Sequence, residues 1–349
     1  MIDFPSFDFQ LDKLIDHFVK WLTADWRFHF FRGVSATILW PLVRLEKFLQ
    51  WLPVTVIILA VALLAWWSVR HKRTRKELFI VLAEAAAIGL GLTLIGLAQE
   101  QSASNGTWEW AGRALLATAM AIAGGFWAVG GRQPGLPELA MAGFMFIGVV
   151  GLWDAAMTTL AVVGVATTIA IMVAIPTGIV MAKSDRLQAG IRPILDLLQT
   201  MPSFVYLVPA LMLFGLGKVP AIMATVMYAV APGIRLTNLG IRLVDKELIE
   251  AAHAFGTAPR QMLFKVELPL ALPTIMAGIN QVIMASLAMV VIASMVGAAG
   301  LGIEVLHGIA RLKVGQGFNG GLSITLLAII IDRVTRGLQP GRESAGEPA

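Results

Sequence analysis

The sequence predicts an all-α integral membrane protein of about nine transmembrane helices, preceded by an N-terminal amphipathic helical segment. Three observations carry this reading. Of 349 residues, 57% are hydrophobic and only 14% charged, whereas soluble domains average roughly 25% charged. Apolar runs near the ~20 residues that a bilayer core demands recur along the chain. Between residues 11 and 22, by contrast, apolar side chains repeat with a helical period and do not form a run.

That repeat opens the first region, residues 1–52. Leu11, Leu14, Ile15, Phe18, Val19 and Leu22 share one helical face, opposite Asp12, Lys13, Asp16, His17 and Lys20. A weaker amphipathic stretch follows around 36–51 and contains Pro41. Six acids and six bases cancel within this region, so attraction to anionic lipid is not its driving force. It reads as a helix lying in the membrane interface or as a scaffold for a partner on the outer face. The opening "MIDFPSFDFQLDK" is acidic where a secretory leader needs a basic region, so no cleaved leader is expected.

The spans follow at about 53–69, 78–98, 112–130, 136–152, 155–182, 203–217, 219–241, 272–297 and 319–335. Several are short or Gly-rich, and eight is the alternative count. Those within 53–152 form an accessory block. One of them holds Glu84 in the middle of "VLAEAAAIG": either a pair for another helix's polar group or an intramembrane polar site. The remainder, 153–337, forms a second block, and the tail 338–349, "GRESAGEPA" at its end, has a disordered composition.

Charge orients the spans. Arg70, Lys72, Arg73, Arg75 and Lys76 crowd the first connection, which therefore faces the cytoplasm. Alternation from there leaves 99–111 outside without a single Lys or Arg, and brings Lys183, Arg186, Arg192, Arg242, Lys246, Arg260, Lys265, Arg333 and Arg336 inside. Only Arg113, Lys218, Arg311 and Lys313 fall on outer connections. The N-terminus is then outside and the C-terminus cytoplasmic. The net charge of +5 reflects this loop bias, and no nucleic-acid partner is expected; the bilayer is the partner.

Enzyme chemistry has little to draw on. No cysteine is available as nucleophile, disulfide or thiolate ligand, the five histidines are scattered, and neither HExxH nor GxSxG occurs. Neither a catalytic residue nor a metal or cofactor site is expected. "GLGK" at 215–218 lacks the spacing and hydroxyl of a nucleotide-binding P-loop.

One polar stretch interrupts the second block. Residues 244–270 carry Glu250, His253, Arg260, Lys265 and Glu267 between two spans. Asp245 is placed to cap a first helix that ends at Gly256, and Thr257 to cap a second with Pro259 in its first turn. Pro269 is expected to stop that second helix. The small Ala251 and Ala252 would let another surface approach closely. An amphipathic pair resting on the membrane would show the same spacing.

The pattern E-A-A-x3-G-x9-hydrophobic-x-L-P, from Glu250 through Gly256 and Val266 to Leu268 and Pro269, resembles the EAA loop of permease subunits in bacterial ABC importers. Val266 stands where isoleucine is usual. "LLQTMPSFVYLVPALMLFGLGKVP" (197–220), "FGTAPRQMLFKVELPLALPTIMAGINQ" (255–281), "MVVIASMVGAAGLG" (289–302) and "LAIIIDRVTRG" (327–337) are similar to the glycine betaine/proline betaine/choline branch. The resemblance implies a type I ABC importer permease core over 153–337 in the bacterial inner membrane. It further implies a homodimer of permease chains, an extracytoplasmic solute-binding protein, and two ATPase subunits that hold the ATP and Mg. Glu250, Ala251 and Ala252 would form the docking surface, Gly256 the turn, and Leu268 with Pro269 the transmission to the next span. Residues 70–135 depart from shorter members of the branch.

The residues also bear on the solute. Cages for quaternary ammonium groups are aromatic, yet all ten tryptophans lie at or before Trp153. A weak path is expected, with selectivity residing in the binding protein. No formal charge lies within 155–182 or 271–303. Candidates to line a path for a net-neutral zwitterion are Thr167, Thr168, Asn280, Gln281, Ser286 and Ser294, each equally an interhelical hydrogen-bonding group. Met201, Phe204 and Tyr206 could gate an inner mouth or simply pack a helix entrance. The alternatives are an ABC permease for another small zwitterion such as an amino acid, and an ion-coupled secondary transporter using Glu84.

Overall fold

A computed structural model describes residues 25–51 and 143–337, Met145 excepted. The repeat at 11–22, the runs at 53–69, 78–98 and 112–130, the start of the run at 136–152, Glu84 and the tail 338–349 lie outside the described residues. Among the described residues, all regular structure is helical.

Helix α1, Asp25–Trp51, starts well before the stretch expected at 36–51 and runs through Pro41. Ile38 and Leu42 are buried, in one cluster with Ala156, Met157 and Val162 of α2, Trp153–Lys183. A polar clasp sits beside them. The Glu46 carboxylate accepts from both Thr158 Oγ1 at 3.1 Å and Lys218 Nζ at 2.6 Å. This half of the N-terminal region is thus docked on the helical body.

α2 is followed by α3, Asp185–Thr200, after a one-residue break at Ser184, whose extended backbone and side chain cap the new helix. α3 stops at Met201 because Pro202 forces the preceding residue into an extended conformation (ψ 135°). A 3-10 turn, Ser203–Tyr206, then leads into α4, Leu207–Phe214. α3 and the 203–214 segment meet at 111°. The run at 203–217 is therefore not a straight span but one arm of a bent pair, closed by Gly215 and Gly217 with φ of 74° and 131°.

α5, Lys218–Arg242, crosses back, and α6, Lys246–Ala254, caps the turn. Here the sequence reading needs correction. The second helix is N-capped at Ala258, without a side-chain cap, and not by Thr257, and Pro269 does not stop it. It runs on as one 35-residue helix, α7, Pro259–Ala293. The physical reason is a π-type segment, Met262–Glu267, in which the Leu268 N–H reaches the carbonyl of Leu263, five residues back. Widening the turn there accommodates the ring and missing N–H of Pro269, whose i−4 carbonyl lies in the segment; Pro273 sits further on, inside the regular helix.

A helix not anticipated from sequence follows: α8, Leu301–Ala310, in a tight hairpin with α9, Val314–Gly337. Its start is fixed by Thr159 Oγ1, which accepts from the Leu301 N–H at 2.8 Å. Its far end presses on α9 so closely that a Cβ on Gly308 would lie 2.3 Å from the Gly317 nitrogen. Four helices (α2, α5, α7, α9) are long and apolar enough to cross a membrane, or five spans if the bent pair counts as one, among the described residues.

α2, α5 and α7 form the centre. Small residues let their backbones close up: Gly178 of α2 meets Thr237 and the Ile234 carbonyl of α5, Gly233 of α5 meets Ala174 and Val282, and Gly278 of α7 meets Leu236. Lipid tails are as apolar as leucine, so association here rests on such close packing and not on a hydrophobic difference.

Candidate functional site

The polar stretch becomes one short helix and the protruding end of a long one. Asp245 Oδ1 accepts from the Glu247 N–H at 3.0 Å, capping α6 as its spacing suggested. At the other end, Gly256 takes φ 74°. Its N–H reaches the His253 carbonyl and that of Thr257 the Ala252 carbonyl, closing the helix in a left-handed turn. α6 buries no residue completely. Glu250 and Ala251 are exposed, Ala252 is half-buried, and Leu248, Phe255 and Phe264 stand out as exposed apolar side chains. Phe255 is 91% exposed, so the tip presents an apolar ring to its surroundings.

Below that surface the loop is anchored. Ile249 of α6 packs into a cluster of Ile241, Val244, Ala271 and Ile275, with Leu268 at its border. Lys183, the last residue of α2, donates to Glu267, whose side chain is 6% exposed. Arg242 ties α5 to the start of α3 through Asp185 Oδ1 at 2.7 Å and also reaches Asn238 Oδ1 and the Met181 carbonyl. α6 thus packs through Ile249 on the ends of α2, α5 and α7, while the two ion pairs tie α2 to α7 and α5 to α3. Sequence reasoning missed Lys183, Glu267 and Ile249 in this role. The available signal was a lone acid, Glu267, two residues before a membrane-entering proline.

The path candidates scatter. Tyr206 is fully buried, its hydroxyl donating to the Leu198 carbonyl and its ring edge-on to Tyr228 at 5.8 Å. Met201 borders the same cluster, while Phe204 projects outward. Gln281 is exposed. Thr168 and Ser294 satisfy their hydroxyls on helix carbonyls, whereas Thr167 Oγ1, Asn280 Oδ1 and Ser286 Oγ are buried without a hydrogen-bond partner. Asn280 donates to Asp332 of α9 at 2.9 Å, and Arg235 of α5 pairs with Asp196 of α3. Those two charges inside apolar helices also escaped the sequence reading, because hydropathy averages over them.

Long apolar helices knitted by glycine, with a capped polar helix held at one end, define a multi-pass membrane component. The family of binding-protein-dependent transport system inner membrane components matches residues 174–343, and the chain belongs to this family. It is 51% identical over 218 residues to the glycine betaine/proline betaine transport system permease protein ProW of Escherichia coli, spanning 62% of this chain and 60% of that one. The glycine betaine transport system permease protein OpuAB of Bacillus subtilis is 47% identical over 61% of this chain and 75% of its own length. The glycine betaine/carnitine transport permease protein GbuB of Listeria monocytogenes is 48% identical over 59% and 73% respectively. Membership of this family of inner membrane components, with its apolar helices, makes it a multi-pass inner-membrane protein.

Proposed function

We propose that this chain is the membrane-spanning permease subunit of an ATP-driven importer for betaine-like osmolytes (glycine betaine, proline betaine or choline). It works as a homodimer with two ATPase subunits and an extracytoplasmic binding protein, and its α6 end faces the cytoplasm. The names of its relatives support the solute class. The observation that carries the mechanism is the anchoring of α6: its exposed tip is fastened by the Ile249 cluster to α2, α5 and α7, and Lys183–Glu267 ties α2 to α7 beside it. A force applied at Ala251 and Phe255 is delivered into α7 without a hinge, since Pro259–Ala293 is one helix.

In this mechanism ATP closes the partner ATPases, which draws the two α6 tips together and tilts α7 through Leu268 and Pro269. The chain itself contributes no catalysis. It supplies a docking face, a rigid lever and a path whose polar groups are hydroxyls and amides, suited to weak contact with a net-neutral solute.

Proteoliposomes holding the permease with its ATPase and binding protein test this. Glu250→Lys is expected to keep ATP hydrolysis and membrane insertion while betaine uptake falls at least tenfold. Unchanged uptake removes the docking role. Concentrative uptake by the permease chain alone, driven by an ion gradient, overturns the whole reading.

A further inference from the structure

The bent segment holds a second surface, apart from the tip of α6. α3, Asp185–Thr200, lies at the α6 end of the bundle and is amphipathic, but only part of its apolar face turns inward. Leu195 is buried, and Ile191 and Leu198 pack beside it against Met181 and Ile234. Leu187, Ile194 and Leu197, at i, i+7 and i+10, share an adjoining face and are 44%, 56% and 58% exposed.

The charges on this helix are not symmetric. Both of its acids are consumed by α5, Asp185 by Arg242 and Asp196 by Arg235. Both of its bases, Arg186 and Arg192, are exposed. Arg186 borders the apolar face and Arg192 sits among the neutralised aspartates, so the field leaving α3 is positive. The helix also meets the 203–214 segment at 111°, which directs α3 across that segment and not alongside it.

We propose that α3 is an interfacial helix that binds the anionic phospholipid headgroup layer on the α6 side of the membrane. Leu187, Ile194 and Leu197 sit at the acyl boundary, Arg186 on their border holds phosphate, and Arg192 on the polar side adds to the positive field. An amphipathic helix with basic flanks and an exposed leucine-isoleucine face has the composition for this position. The pairing of both aspartates with arginines of α5 is what leaves the helix attractive to anions and not neutral. This assignment needs only the membrane location and stands apart from the transported solute.

Because the chain has no cysteine, a fluorophore can be placed at Ile194→Cys, with Gln199→Cys as the polar-face control. The full chain is reconstituted in mixed phosphatidylcholine–phosphatidylglycerol vesicles, with bromine on the acyl chains of one lipid at a time. The label at position 194 is expected to be quenched, and more by brominated phosphatidylglycerol than by brominated phosphatidylcholine; the label at 199 is expected to be quenched little. Arg186→Gln should reduce the phosphatidylglycerol preference about fivefold, the ratio expected for one basic residue at an anionic surface, and Arg192→Gln by less. Absence of quenching at 194 means that water, another part of the protein or a second copy covers the face, and the proposal is wrong. Equal quenching by both lipids, or a preference that survives the double Arg variant, also overturns the headgroup assignment. None of these readouts needs uptake, so they are independent of the importer reading.

Discussion

Lys183→Met leaves the Glu267 carboxylate without its cation in a place where only 6% of its side chain meets solvent. The pair is lopsided: Lys183 is 46% exposed, so its ammonium regains water when the partner is removed, whereas the carboxylate cannot. Stripping one partner from a fully buried pair costs about 3–5 kcal/mol, and an exposed pair contributes about 0–1 kcal/mol. The half-exposed lysine places Lys183→Met at the lower edge of the first range, about 3 kcal/mol. Glu267→Gln, which keeps a hydrogen-bonding group of the same shape, should cost about 1 kcal/mol. The double variant should cost much less than the sum of the two. Unfolding in mixed micelles with increasing dodecyl sulfate, followed by circular dichroism, measures all three. Equal costs for the two single variants, or strict additivity, would refute the argument that burial of Glu267 makes the pair asymmetric. In proteoliposomes the same Lys183→Met change should lower solute moved per ATP, since α7 loses its tie to α2 beside the polar loop.

Thr159→Val removes the acceptor of the buried Leu301 N–H and should cost about 2 kcal/mol, with Thr159→Ser near neutral in the same unfolding assay. Gly308→Ala forces a methyl group against the Gly317 backbone. The hairpin must open, at a cost of about 3 kcal/mol, and a wild-type unfolding midpoint would contradict that packing. Gly256→Val meets no atom within 4 Å but must hold φ near 74°. Its cost of about 1–2 kcal/mol is purely conformational, so Gly256→Asn should recover much of both the stability and the assembly with the ATPase.

Much of this protein was legible in its residues because the bilayer is a severe solvent. A run of apolar side chains has few alternatives there but a helix, so the spans around α2, α5, α7 and α9 could be read directly. Capping chemistry is local too: Asp245 and Gly256 act within a few residues of themselves and fall where their types require. The E-A-A-x3-G spacing is local in the same sense, and it points to the family on its own.

What the sequence could not settle were outcomes decided between segments far apart in the chain. Pro269 looked like a stop because a proline ends a regular helix, yet a widened turn just before it lets α7 continue. The run at 203–217 looked like a span because hydropathy has no direction, and the bend at Met201–Pro202 turned it into one arm of a pair. Glu267 acquired its meaning only when the end of α2 brought Lys183 to it across 84 residues. Composition and period are properties of a chain in a solvent, whereas ion pairs, close glycine contacts and shared faces exist only once the helices have met.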